Sequence, residues 1–460
     1  MYDTIIIGAG MSGLAAGIRL AHFDKRVCIL EKHTVVGGLN SFYRQGGRWF
    51  DVGLHAVTNF TPKGTRRGPL ARLLKQLRFA WDELGLVPQI GSSIRFPGVE
   101  LQFSNDFNLF ESAVAVEFPG QIDNLRRMVA ALADYGDLGT SESDITAREF
   151  MAQYIDDPLL IEMILCPLLY YGGAKEHDMD YGQFAIMFRA IFLEGLARPL
   201  DGVRLILRKL LHRFKRLGGE LRLRAGVEKI ETEGGRAVGV TLEDGSQLEA
   251  SHILSSAGWP ETMQLCEQEP MTTTEDAGRL SFIESISVLD KEPSTMGHDR
   301  TIVFFNDSEK FDYRKPNELV DLRSGVICSP NNFEYDQPLG EGMMRITALS
   351  NFGGWAETDS DEYETQKKHW YDQIVDSAVR FVPDFRDSVI ATDMFTPRTI
   401  TRFTGRAEGA IYGSEKKRFD GRTPFDNLFI CGTDQGFVGI IGTLVSGISI
   451  VNRYLLSPST

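Results

Sequence analysis

Within its first 31 residues the chain lays down a strand, a glycine-rich turn, a helix and a second strand, an order that commits it to a parallel α/β sheet. Residues 4–7 are an apolar, β-branched run, the pattern of a strand buried on both faces. Gly8-Ala9-Gly10-Met11-Ser12-Gly13 follows at once, and residues 14–23 supply helix-forming Leu, Ala and Ile. Residues 26–30 are a second apolar strand, closed by Glu31. In that setting the G-x-G-x-x-G spacing has a mechanical reading. Gly8 permits a tight turn, Gly10 lets the backbone approach a pyrophosphate, and Gly13 lets helix and strand pack closely. The helix N-terminus turns its N–H groups and positive dipole end toward the phosphates. Glu31, 18 residues after Gly13, stands where a carboxylate accepts from ribose hydroxyls and repels a 2′-phosphate. The competing reading is a glycine-rich turn that binds nothing.

The rest of the chain limits what such a unit serves. At about 150 residues per domain, 460 residues make roughly three domain-sized masses. Lys and Arg number 49 against 63 Asp and Glu, a net charge of −14, which argues against nucleic acid as a partner. The five cysteines are scattered, without C-x-x-C or metal-ligand spacing, and read as free buried thiols in a reducing compartment, with no metal site. No apolar run approaches the ~18–20 residues of a membrane-spanning helix, and Met1-Tyr2-Asp3 leads straight into the first strand without a signal peptide. These features predict a cytoplasmic protein.

Residues 1–64, 201–265 and 391–460 share a dinucleotide-domain character. The second stretch opens on an amphipathic helix, with Leu207, Leu210, Leu211 and Phe214 on one face, stopped by Gly218-Gly219. Alternating strands with Gly234-Gly235 and Asp244-Gly245 turns follow. Residues 65–200 read as mostly helical, and 266–390 as strands with a helix around 362–382. The expected fold is α/β: a discontinuous Rossmann-like domain interleaved with an inserted α+β substrate domain.

A second glycine turn lies just downstream. Gly37-Gly38 follows Glu31 by six residues and leads into Leu39-Asn40-Ser41. Two adjacent glycines let main chain approach a bulky ligand, although alone they also fit a surface hairpin. NAD dehydrogenases do not need this loop. With residues 202–220, Val227-Glu228-Lys229-Ile230, Arg402-Phe403-Thr404-Gly405, Gly409-Ala410-Ile411-Tyr412-Gly413 and Cys431-Gly432-Thr433-Asp434, the chain resembles, nearly end to end, the phytoene desaturase, carotenoid isomerase and retinol saturase group of FAD enzymes on the amine oxidase scaffold. That resemblance implies FAD, contacted by Gly8, Gly10, Ser12, Gly13, Glu31, Lys32, Gly38, Leu39, Asn40, Val227, Gly432, Asp434, Ile440 and Ile441. Val227 would meet adenine through its backbone, Gly432 and Asp434 the diphosphate–ribityl region, and main chain near Ile440 and Ile441 the flavin O2 side. Two departures stand out: Pro199-Leu200-Asp201-Gly202 replaces Pro-x-Gly-Gly, and Gly432-Thr433-Asp434 replaces a Gly-Asp pair. Gly53-Leu54-His55 is closest to the saturase-like form.

The implied activity is desaturation, saturation or cis–trans isomerisation of a long apolar isoprenoid such as a carotenoid or retinoid. No G-x-S-x-G or catalytic triad is present, and none is needed where the cofactor carries the difficult chemistry. His55 is the candidate catalytic residue, as a proton donor or acceptor; a hydrogen-bonding or packing role in the flavin shell fits it equally. Asp51 reads as a loop tie. The apolar stretches 158–171 and 184–196 read as core, with the wall of a substrate tunnel as the alternative. Arg66, Arg67, Arg72, Lys75 and Arg78, interleaved with Leu70, Leu73, Leu74 and Leu77, form a basic amphipathic segment suited to peripheral membrane contact or to a solvated face. No second G-x-G-x-x-G follows a strand, so the electron donor or acceptor is external. An amine- or porphyrinogen-oxidising flavoenzyme and a non-catalytic prenyl-binding escort are the competing functions.

Overall fold

The computed structural model describes residues 1–133, 144–267 and 277–456. Its first sheet gathers strands far apart in sequence, in the spatial order Val227–Glu233, Arg236–Leu242, Gln247–Ser255, Tyr2–Ile7, Val27–Glu31 and Glu220–Leu223, with Leu428–Ile430 also paired to Gln247–Ser255. Ile5 stands opposite Cys28 on one side and Ile253 on the other, both in parallel register. Strand 247–255 is long enough to serve two partners. Its first half pairs antiparallel with Arg236–Leu242, and its second half runs parallel between Tyr2–Ile7 and Leu428–Ile430.

Alternate residues of these strands feed opposite cores, which is why the runs are apolar throughout. Ile6, Ile29, Leu254 and Phe429 pack under the helices Met11–Ala21, Val203–Arg216 and Gly439–Ile450. Ile5, Cys28, Ile253 and Leu428 face the antiparallel strands and the helix Trp259–Leu265. The helix Gly439–Ile450 crosses Met11–Ala21 on a glycine: a Cβ on Gly447 would lie 2.1 Å from the Ser12 carbonyl oxygen. Gly13 is held as tightly, its Cβ position 2.2 Å from the Gly8 carbonyl oxygen.

The second sheet has the order Val389–Phe395, Ser281–Leu289, Gly342–Ser350, Ser324–Cys328, Ile302–Asn306, Ser92–Phe96, Val99–Phe103, and one of its pairs, Ile302–Asn306 with Ser92–Phe96, is parallel. Residues 92–103 are two strands within the otherwise mostly helical stretch 65–200. Ile94 and Phe96 alternate with polar neighbours, as do Leu101 and Phe103 beyond the Pro97-Gly98 turn, and all four are buried. The helix Ser360–Ala378 covers one face of this sheet, and Pro158–Gly172 and Tyr181–Phe188 pack against the other. Most of 158–171 and 184–196 is core against this face of the sheet; Tyr170 and Tyr171 reach the wall of a large cavity, and Ile186, Met187 and Ala190 line a smaller one. The five cysteines are buried and free.

Candidate functional site

A cavity of about 450 Å³ runs from the carboxyl ends of the parallel strands to the second sheet. That is the place where an open α/β sheet receives its ligand. At one end the two glycine turns are stitched together. The Gly37 N–H donates to the Ala9 carbonyl at 2.9 Å, and Gly10 and Gly37 form a parallel bridge. Glu31 ties the same turn from below: one carboxylate oxygen accepts from the Ala9 N–H and the other from the His33 N–H, each at 2.9 Å. Its remaining lone pairs are available to ribose hydroxyls.

A dinucleotide fits this wall. A Cβ on Gly10 would meet nothing within 4 Å, so the backbone there is bare, and one on Gly38 would meet only the Gly10 Cα, at 3.7 Å. Of the sequence-predicted residues, Gly8, Gly10, Ser12, Glu31, Lys32, Gly38, Leu39, Asn40, Val227, Gly432, Ile440 and His55 line the cavity. Gly13 lies behind the turn as a packing glycine, and Ile441 turns its side chain into the core among the helices. Asp434 requires a correction, because it is off the wall. Fully buried, it accepts from the Trp259 N–H at 2.6 Å, the Ser414 N–H at 2.8 Å and Arg406 Nη1 at 3.0 Å, leaving its neighbour Thr433 to face the space. Burial alone would raise the Asp434 carboxyl, but Arg406 and then Lys417 hold it below its ordinary value.

The far end of the cavity is built on a buried polar network. Arg345, 1% exposed, donates from Nε to Glu284 Oε1 at 2.6 Å and through its terminal nitrogens to the Leu54 and Asp51 carbonyls, at 2.9 and 3.0 Å. Burial pushes the Glu284 carboxyl up, yet the Arg345 charge and the contact with His55 outweigh it and bring the group down to about 2. Glu284 is therefore an acceptor only, and His55 Nε2 lies 3.2 Å from the same Oε1 and 3.1 Å from Thr347 Oγ1. The imidazole thus carries its proton on Nε2, and Nδ1 has no partner among the described residues. Burial lowers the His55 pKa further than Glu284 raises it, so the ring is neutral at pH 7. Asp51 ties the loop that carries His55, accepting from Arg198 Nη2 at 2.5 Å and the Val203 N–H at 3.2 Å. Gly202 gives it room, since a Cβ there would sit 1.9 Å from Asp51 Oδ2.

Beyond His55 the wall is aromatic and aliphatic: Tyr170, Tyr171, Phe282, Val326, Ile411 and Tyr412. Sequence reasoning missed Glu284, Arg345 and Thr347. They stand on two strands of the second sheet, Glu284 directly opposite Thr347 in register, and nothing local ties them to His55. It also missed Arg406 and Phe403, although Arg402-Phe403-Thr404-Gly405 was a visible motif. Phe403 lies at the cavity edge, 5.6 Å from His33 between ring centroids.

Comparison with known proteins agrees with this geometry. The chain is 24% identical to prolycopene isomerase 2 of an Oncidium hybrid cultivar over 98% of its own length and 83% of the relative's. It is 22% identical to the all-trans-retinol 13,14-reductase of Danio rerio, over 98% of this chain and 86% of that one. Among solved structures an oxidoreductase from Methanosarcina mazei shares the fold, with a TM-score of 0.68 at 16% identity, covering 98% of this chain and all of that one. The family model described as flavin containing amine oxidoreductase matches residues 11–454, so the chain belongs to that family and is a FAD-dependent oxidoreductase.

Proposed function

We propose that this enzyme forms, removes or rearranges C=C bonds in a long apolar isoprenoid of the carotenoid or retinoid class. The observation that carries the reading is the far end of the cavity, where six aromatic or aliphatic side chains surround a single carboxylate, Glu284, already committed to Arg345 and His55. A cationic amine would find no free counter-charge there, which favours a neutral, apolar substrate over an amine. The names of the relatives point the same way: one is a prolycopene isomerase and another an all-trans-retinol 13,14-reductase.

FAD, when bound, supplies hydride or electron exchange with the substrate carbon skeleton, and allylic delocalisation spares the protein a strong base. The chain's own residues position and exclude. The glycine turns and Glu31 hold the dinucleotide, the aromatic wall keeps water from the reacting bond, and His55 takes a proton at Nδ1. Residues 66–78 bring the enzyme to an anionic membrane in which such a substrate dissolves. Leu70, Leu73, Leu74 and Leu77 are buried in the protein's own core, while Arg66, Arg67, Arg72, Lys75 and Arg78 are exposed. Contact of this kind is electrostatic and peripheral.

Anaerobic mixing of the holoenzyme with lycopene-type polyenes and, separately, with amines tests the reading. Bleaching of the flavin by the amine alone would overturn it. His55→Ala is expected to keep the flavin spectrum and lose most turnover; an unchanged kcat removes the proton-transfer role.

A further inference from the structure

Arg406 is a buried cation on the cavity wall to which neither sequence pattern nor likeness assigns a task. Its terminal nitrogens are fixed: Nη1 donates to Asp434 Oδ2 at 3.0 Å and forms an ion pair with Glu261 Oε2 at 3.6 Å, and Nη2 donates to Thr433 Oγ1. Gly258 makes the space, since a Cβ on it would lie 2.2 Å from Arg406 Nη1. Asp434, itself held by the Trp259 and Ser414 N–H groups, cannot swing away and carry the guanidinium with it. Nε has no partner among the described residues, and the side chain borders the cavity beside Gly405, Gly432 and Thr433. Across from this wall lies the first turn of Met11–Ala21, where Ser12 Oγ would stand 3.2 Å from a Cβ on Gly432.

The charges make the case. Among the described residues the cavity wall carries four carboxylates, Glu31, Glu243, Glu261 and Glu284, and only Lys32 and Arg406 as Lys or Arg counter-charges. A dinucleotide brings two further negative charges at its diphosphate, and a helix N-terminus offers only about half a positive charge. We propose that Arg406 is the diphosphate counter-cation of this enzyme, donating to a phosphate oxygen from a guanidinium that Asp434 positions. Asp434 then acts on the cofactor through Arg406 and does not touch the ribityl chain. The proposal rests on the family's FAD and is independent of which substrate the enzyme oxidises or reduces.

The test is ligand binding to apoprotein, with FAD, ADP and adenosine as probes. Arg406→Met alone leaves two buried carboxylates, Asp434 and Glu261, without their cation, so R406M/D434N, which removes the charge of the more buried one, is made beside it and both are checked for a cooperative thermal transition. A lost charge-assisted hydrogen bond corresponds to roughly 10- to 100-fold weaker binding. That loss is expected for FAD and ADP in the double variant, with adenosine affinity unchanged and R406K recovering part of it. Wild-type ADP affinity is expected to fall more steeply with salt than that of the variant. D434N, which keeps the guanidinium but frees it, is expected to lose ADP affinity to a smaller extent, again sparing adenosine. ADP binding equal to wild type in R406M/D434N, or equal losses for ADP and adenosine, overturns the proposal. Wild-type protein that binds neither FAD nor ADP overturns it together with the cofactor.

Discussion

His55 owes its neutral state to burial and its tautomer to Glu284, and Glu284 in turn owes its charge to Arg345. Removing one member therefore exposes the others. Glu284→Gln leaves Arg345 as an unpaired cation that is 1% exposed, a change expected to cost about 3–5 kcal/mol in chemical denaturation. The pH dependence has a definite sign. The folded Glu284 carboxyl lies at about 2 against an ordinary 4.5, so its stabilisation is complete above pH 4.5 and is lost as pH falls from 4.5 toward 2. The His55 pKa is also lowered, so the folded state resists protonating it and loses further stability as pH falls below 6.5. In activity, the acid limb of kcat/KM set by His55 is expected below the ordinary histidine value of 6.5. A limb at or above 6.5 that vanishes in His55→Ala would contradict a buried neutral imidazole.

Among the elements, helix contacts made on glycine are the least forgiving. Gly447→Ala would press a Cβ into the Ser12 carbonyl at 2.1 Å, lifting Gly439–Ile450 away from the first turn of Met11–Ala21. Overpacking of this kind costs about 1–3 kcal/mol. Because both helices border the cavity, FAD affinity is expected to fall along with Tm, which titration of the apoprotein reads directly. The helix Pro69–Leu77 behaves differently, for its leucines are already spent inside. Charge reversal at Arg66, Arg67, Arg72, Lys75 and Arg78 is expected to abolish flotation with anionic liposomes and leave Tm within about 0.5 kcal/mol equivalent of wild type. Salt-insensitive flotation would argue for insertion of apolar side chains instead.

In the whole molecule, two sheets with separate cores are joined at the cavity whose glycine turns fit the cofactor. Ligand that binds only the folded state adds RT ln(1 + [L]/Kd), about 2.7 kcal/mol at 100 times Kd. FAD is therefore expected to raise Tm in a concentration-dependent way, and R406M/D434N to need more FAD for the same rise. None of the described helices is long and apolar enough to cross a membrane.

The amino-acid sequence by itself determined the parts of this protein that rest on local chemistry. The strand–G-x-G-x-x-G–helix unit, Glu31 at the end of the second strand and the Gly37-Gly38 turn are contiguous, and their backbone demands can be read residue by residue. The apolar runs 4–7 and 26–30 announced strands covered on both faces, and the hydrophobic period of 203–216 announced a helix. Residues 92–103 were legible too, since their alternation has period two, but the surrounding helical pattern obscured it. Tertiary structure alone decided the rest. Glu284 and Arg345 lie over two hundred residues from His55, and only the register of one strand pair makes them its partners. Asp434 was visible as part of a glycine-rich turn, but its direction depended on Trp259, Ser414 and Arg406, which reach it from three other stretches. Sequence specifies where backbone must be bare; long-range packing specifies where a charged side chain can be satisfied, because a buried charge goes to whichever partners the fold brings within hydrogen-bond reach.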